Sequence, residues 1–300
     1  MPLHITDADV RSLLTYEALI PAMERALADY SAGKAVQPVR TTIPVGDHGG
    51  FLFVMPAFVE GSSALGAKLV TYYPNNRGIE THFATIQLFK PETGEPLASM
   101  DGSLVTEMRT AAVSAAATNQ LAKTEATVLA ILGAGVQARS HLAALRHVRL
   151  FKEVRVWSPN SAGAFAKKHN VVASPSAEAC VRGADVVVVA TTSSTPVLQG
   201  DWLSEGAHVN SVGAALPQWR ELDDTALKRV TVFVDSRAGA ESESGDVRAA
   251  GRIDAEIGEV ILGRHKGRTS EKEITWFKSL GMAVEDVVAA DLVLKAAART

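Results

Sequence analysis

Two patterns of apolar and polar positions divide this 300-residue chain. Thr6-Asp7-Ala8-Asp9 reads as a helix start ahead of Val10, Leu13 and Leu14. Leu19, Met23, Leu27 and Tyr30 then recur at helical spacing over 16–31, and Gly33 ends the run. From Val36 to Met100 the period shortens. Runs of Val, Ile, Phe, Leu and Thr are split by turn signals such as Gly46-Asp47-His48-Gly49-Gly50, Pro74-Asn75-Asn76-Arg77-Gly78 and Pro91-Glu92-Thr93-Gly94. This predicts an antiparallel sheet in an N-terminal α+β domain. An alanine-rich helix over 103–121 then joins it to a second domain.

After Thr127 strand and helix alternate, with candidate strands at 127–132, 153–157, 185–190, 207–212 and 230–235. Asp185-Val186-Val187-Val188-Val189-Ala190 is apolar without alternation, as expected of a parallel strand covered on both faces. The fold class predicted is α/β: a Rossmann-type doubly wound parallel sheet plus the N-terminal α+β domain. Lys278 to Ala298, with Ala283, Val284, Val287, Val288, Leu292 and Leu294 at helical spacing, reads as a final helix after the last candidate strand.

Charge and composition narrow the ligand. With 30 basic and 33 acidic side chains the formal charge is -3, which favours neither nucleic acid nor an anionic membrane and leaves a small molecule as the expected partner. One cysteine, Cys180, excludes an internal disulfide and a thiolate metal cluster within one chain, so no metal is expected. MPLHITDADVR has neither the basic nor the apolar region of a secretory signal, and a cytoplasmic protein is the expectation.

The chemistry starts at Gly133-Ala134-Gly135-Val136-Gln137-Ala138, between the apolar run 127–132 and a helical segment over 139–148. A strand turning sharply into a helix leaves N–H groups at the helix start, and two glycines let a pyrophosphate approach them. Ala138 stands where the fingerprint allows glycine or alanine. The second strand ends Trp157-Ser158-Pro159-Asn160, so no carboxylate is present to hold a ribose 2′-OH or repel a 2′-phosphate. That favours NADP(H) over NAD(H), with Ser158 and Asn160 as donors and Arg139 as a nearby cation.

Three cations in apolar surroundings, Arg40, Lys68 and Arg109, would together make a carboxylate site. Their convergence cannot be read from pattern. A resemblance supplies it. The stretches Gln37-Pro38-Val39-Arg40-Thr41, Lys68-Leu69-Val70, Met100-Asp101-Gly102, Arg109-Thr110-Ala111-Ala112-Val113-Ser114-Ala115, Ile131-Leu132-Gly133-Ala134-Gly135-Val136-Gln137-Ala138, Trp219-Arg220-Glu221-Leu222-Asp223-Asp224, Glu243-Ser244-Gly245-Asp246 and Phe277-Lys278-Ser279-Leu280-Gly281-Met282-Ala283-Val284-Glu285-Asp286 resemble the ornithine cyclodeaminase/mu-crystallin family, most closely its mu-crystallin branch.

The resemblance implies that Arg40, Lys68 and Arg109 meet the substrate carboxylate and that His82 lies near nicotinamide and substrate. It also implies that Thr191, Val212, Ser279 and Leu280 join Gly133, Ala134, Gly135, Val136 and Gln137 in touching the cofactor. It implies domains at 1–115 with 280–300 and at 116–279, and a homodimer built through the N-terminal sheets. Cyclodeaminases carry an aspartate where this chain has Ala215, which disfavours ring closure of ornithine.

The expected activity is therefore NAD(P)H-dependent reduction of a cyclic ketimine carboxylate, with Lys68, or else His82, handling the imine proton. An amino-acid or N-alkyl-amino-acid dehydrogenase is the alternative, then a cyclodeaminase, or a non-catalytic thyroid-hormone-binding member of the family.

Overall fold

The computed structural model describes residues 2–299, and the chain divides into two units. One unit runs through Arg109 and resumes at Gly281; the other is Thr110–Leu280. Among the described residues no helix is long and apolar enough to cross a membrane.

The first unit begins with β1 (Leu3–Ile5), α1 (Asp7–Leu13) and α2 (Tyr16–Ser31). Thr6 starts α1 through a capping box: its hydroxyl accepts from Asp9 N, and the Asp9 carboxylate accepts from Thr6 N at 2.9 Å. There follow β2 (Ala35–Val36), β3 (Thr41–Pro44), β4 (Phe51–Val59), β5 (Ala64–Tyr72), β6 (His82–Phe89), β7 (Pro96–Asp101) and α3 (Ser103–Leu121), within which the chain passes to the second unit. Among the described residues seven strands form one sheet in the order β1-β7-β6-β5-β4-β2, with β3 also on β4. All its pairings are antiparallel except β1 with β7. The sheet predicted over 36–100 is thus present, and the unforeseen β1 adds an edge.

The two-residue period of a strand decides what each face holds. Register places Met55, Lys68, Ile86 and Met100 in one row, all buried. Along the same face lie Phe53, Val70 and Ala84, then Phe51, Tyr72 and His82. The C-terminal helix (Ala283–Ala297) packs on α2, β4, β5 and β6. Gly66 lies under this helix, but what excludes a side chain there is the neighbouring strand: a Cβ would stand 2.5 Å from Gln87 O, and only in ordinary contact with Val287. The opposite face carries Val54, Leu69, Thr85 and Phe83, with Leu69 43% and Phe83 50% exposed.

The second unit contains β8 (Val128–Leu132), α4 (Val136–Leu145), β9 (Glu153–Trp157), α5 (Ala162–His169), β10 (Val172–Ala173), α6 (Ala177–Val181), β11 (Val186–Val189) and β12 (His208–Ser211). It continues with α7 (Asp224–Arg229), β13 (Val230–Val234), α8 (Arg237–Glu243), α9 (Gly245–Ala250), β14 (Ala255–Glu256), α10 (Ile257–Ile261) and β15 (Ile274–Lys278). Among the described residues eight strands, every pairing parallel, run in the order β10-β9-β8-β11-β12-β15-β13-β14. Strand order reverses between β8 and β11, the switch point of a doubly wound sheet.

Two boundaries differ from expectation. The segment expected to be helical from Lys278 onward starts as a strand: β15 ends at Lys278, slots between β12 and β13, and the helix begins only at Ala283. Charged Glu271-Lys272-Glu273 and terminal Lys278 hide a strand whose Trp276 and Phe277 are fully buried. Helix α4 also starts at Val136 instead of Arg139, because the turn ends at Gly135.

Candidate active site

In the first unit the three predicted cations come together. Lys68, central on β5, is 2% exposed, and its Nζ lies 2.6 Å from Asp286 Oδ2. Arg109, in the second turn of α3, donates from Nε to Asp286 Oδ1 at 2.8 Å and from Nη1 to Glu285 Oε2 at 2.7 Å. Arg40, between β2 and β3, donates from Nη2 to the Gly281 carbonyl at 2.9 Å, its guanidinium 5.9 Å from the Phe53 ring centre. Gly281 is the common point. Its φ is +80°, and a Cβ there would lie 2.4 Å from an Arg109 nitrogen, so the turn needs glycine on both counts.

Sequence reasoning missed Glu285 and Asp286 as site residues. Both are fully buried in the first turn of the C-terminal helix. The signal was available as two adjacent acids inside Ala283-Val284-Glu285-Asp286-Val287-Val288, on a helix otherwise apolar. Helix starts favour acids on their own account, which conceals a pair recruited as counter-ions.

These five side chains carry three positive and two negative charges when ionised. Burial lowers the Lys68 pKa to about 8; Asp286 opposes the shift, while Arg109 and Arg40 add to it. His82 opens β6, its ring stacked on Tyr72 with centres 4.4 Å apart and its Nδ1 3.0 Å from Thr81 Oγ1. Desolvation and then the Lys68 charge lower its pKa, so the imidazole is mostly neutral at neutral pH.

In the second unit all the predicted cofactor residues follow strands whose C-terminal ends line one sheet edge. Gly133, Ala134, Gly135, Val136 and Gln137 follow β8; Ser158 and Asn160 follow β9; Thr191, Val212, and Ser279 with Leu280 follow β11, β12 and β15 respectively. Ligands of open parallel sheets bind at that edge, at the switch point. Gly133 has φ +112°, and a Cβ there would sit 2.2 Å from Ala190 O, the close approach of the two diverging halves. Gly135 instead faces open space within 4 Å, and no side chain caps α4. A side chain at 135 would fill the cradle.

Gln137 Oε1 and Ser279 Oγ are buried there without a hydrogen-bond partner. Open helix N–H groups, a side-chain-free cradle and two orphaned polar atoms fit a pyrophosphate-bearing dinucleotide. Gly133 N donates to Trp157 O at 2.8 Å, tying the turn to the end of β9, just before Ser158. Ser158 Oγ is 3.0 Å from Ser161 Oγ, and Asn160 is exposed. Ala215 is also exposed, after Ala214, whose φ is +48°.

Comparison with known proteins identifies the family and the fold. The profile of the ornithine cyclodeaminase/mu-crystallin family matches residues 3–300. The ketimine reductase mu-crystallin of Macropus fuliginosus is 46% identical over a 307-residue alignment covering 97% of this chain and 96% of that protein. The structure of Thermococcus litoralis Δ1-pyrroline-2-carboxylate reductase in complex with NADH and L-proline superposes with a TM-score of 0.94, at 38% identity over 99% of this chain and 98% of that one. An archaeal alanine dehydrogenase dimer with bound NAD gives 0.93 at 35% identity, covering 99% and 96%. By profile, sequence and fold, the chain belongs to the ornithine cyclodeaminase/mu-crystallin family.

Proposed function

We propose that this chain is an NAD(P)H-dependent reductase of cyclic ketimine carboxylates, converting Δ1-piperideine-2-carboxylate or Δ1-pyrroline-2-carboxylate to the cyclic L-amino acid. The observation that carries the reading is the convergence of three cations: Lys68 and Arg109 meet on Asp286 and Glu285, and Arg40 lies beside them on the Gly281 carbonyl. Such a cluster suits a substrate carboxylate. The Macropus relative is a ketimine reductase, and the Thermococcus relative was solved with L-proline, a cyclic amino acid.

Arg40 and Arg109 orient the carboxylate, Arg109 already aimed by its two ion pairs, so the reacting atoms start in register. Lys68 gives its Nζ proton to the imine nitrogen, making the carbon a better hydride acceptor, and regains a proton from solvent. A reduced dinucleotide held at the Gly133–Gln137 turn would supply the hydride that the reduction consumes. His82, mostly neutral at neutral pH, is the lesser donor and shapes the approach to Lys68.

NADP(H) is the coenzyme we favour, on Ser158 in the usual carboxylate position with Asn160 and Ser161 beside it. The archaeal alanine dehydrogenase supports a second reading, in which the imine forms from a 2-oxo acid and an amine. Initial rates for both ketimines, and for pyruvate with ammonia or methylamine, each against NADPH and NADH, separate these readings. A preformed ketimine with NADPH is expected to give the highest kcat/KM. Higher kcat/KM with pyruvate plus ammonia would make it an amino-acid dehydrogenase, and absence of turnover in every cell would end the catalytic reading.

The homodimer is read from the uncovered sheet face bearing Leu69 and Phe83 and from the dimeric archaeal relative. Sedimentation equilibrium is expected to return twice the 31.7 kDa chain mass at micromolar concentration. A monomer would refute it.

A further inference from the structure

The second unit holds a buried charged cluster that carboxylate binding and proton transfer do not use. Glu221, Lys278 and Asp246 are all fully buried. Glu221 lies in the connection between β12 and α7, anchored by its own backbone: its N–H donates to both Asp246 oxygens at 3.1 and 3.0 Å, and its carbonyl accepts from Val197 N and Leu198 N at 2.9 Å. From that fixed base the side chain reaches the ligand edge of the sheet. Oε1 accepts from Thr191 N at 3.0 Å and from Thr191 Oγ1 at 2.9 Å. Oε2 makes no hydrogen bond and faces Lys278 Nζ at 3.8 Å.

Lys278 completes the link by donating to the Gly213 carbonyl. Gly213 is packed so closely that a Cβ there would stand 2.2 Å from Thr191 O and 2.4 Å from Glu221 Oε1. Ala214 follows with φ +48°, a costly conformation for alanine that persists only where its surroundings impose it. One carboxylate and one ammonium thus hold the ends of three strands, β11, β12 and β15. As a stabilising device this is poor, since a buried ion pair seldom outperforms apolar groups of the same shape. As a way of fixing loop geometry it is effective.

We propose that Glu221 is a positioning residue for the nicotinamide half of the dinucleotide, acting through Thr191 and Lys278 to fix the loops after β11 and β12. The inference rests on the dinucleotide reading above. The pyrophosphate belongs at the β8–α4 turn and the adenosine ribose at the end of β9, so the other mononucleotide half falls on the β11 and β12 side of the switch point. Burial raises the Glu221 pKa to about 7, against the pull of the Lys278 charge and the Thr191 hydrogen bonds; Asp246 on α9 pushes the same way as burial, and Arg220 Nε stands 3.9 Å from Asp246. With Oε1 accepting twice, an added proton goes to Oε2, opposite the Lys278 ammonium, and the link loosens.

The test uses the full-length protein and two probes: reduced coenzyme, followed by nicotinamide fluorescence, and ADP-ribose, which lacks the nicotinamide. Glu221→Gln is expected to raise the coenzyme dissociation constant by ~10-fold or more while ADP-ribose affinity stays within about two-fold. Wild-type coenzyme affinity weakens as pH falls through about 7, and the variant loses that dependence. Thr191→Val, which removes the hydroxyl that donates to Glu221 and accepts from Ser193 N, shows the same selective loss on a smaller scale and moves the weakening of coenzyme affinity to higher pH, and that pH shift decides the matter if Glu221→Gln does not fold. Unchanged coenzyme affinity, or equal weakening of coenzyme and ADP-ribose, overturns the positioning role. Failure of the wild-type protein to bind either probe instead removes the dinucleotide reading beneath it.

Discussion

Lys68→Met is expected to lower kcat by about 10²- to 10⁴-fold, the usual contribution of a positioned proton donor. Coenzyme affinity should be retained, because the residues proposed to bind the dinucleotide lie in the other unit. Methionine keeps much of the length of lysine in a row already lined by Met55, Ile86 and Met100, so the fold has an apolar replacement of suitable shape. The informative comparison is kcat against KM with a preformed ketimine. If only KM rises, Lys68 merely binds the carboxylate and the proton comes from elsewhere, His82 first.

The same lysine sets a pH signature with opposite signs for activity and stability. In the free enzyme its pKa is lowered to about 8 from 10.5, so kcat/KM should fall above about pH 8 as the donor loses its proton. The alkaline limb of kcat should lie higher, because bound carboxylate favours the ammonium. Stability moves the other way. Between the folded and unfolded pKa values the unfolded chain holds the extra proton, so the Lys68 penalty is full below about pH 8 and is relieved as pH rises toward 10.5. Lys68→Met abolishes both trends.

What could be read without coordinates follows how local each interaction is. The glycine turn at 133–138 was legible because strand, turn and helix start are contiguous, and its chemistry is that of the backbone. The valine-rich strands were legible for the same reason. β15 was not, since five residues ending in lysine carry too little periodicity, and its place between β12 and β13 depends on partners far away in sequence. The cation cluster was half legible. Arg40, Lys68 and Arg109 stood out as cations in apolar stretches, but Arg109 meets Asp286 across 177 positions, and no spacing rule reaches that far. Glu221 was visible within a family motif without any role, because its role is made by Thr191, Gly213 and Lys278 converging on it.

Asp286→Asn is expected to cost about 3–5 kcal/mol of local stability, the usual price of removing one member of a buried ion pair. The carboxylate serves two cations, Lys68 through Oδ2 at 2.6 Å and Arg109 through Oδ1 at 2.8 Å. Asparagine keeps an acceptor for Arg109 Nε but sets an amide against the Lys68 ammonium. The lysine escapes by releasing its proton, so its pKa falls further and the alkaline limb of kcat/KM moves to lower pH. Trp157, Trp202, Trp219 and Trp276 all lie in the other unit, so the readout is taken from the first unit itself. Native-state amide exchange in β5 and the C-terminal helix reads it directly. The double variant Lys68→Met/Asp286→Asn should be more stable than Asp286→Asn alone, since no unpaired ammonium is left at Lys68. Protection in β5 equal to wild type in the single variant, or an unmoved pH profile, would show that Asp286 does not govern the charge on Lys68.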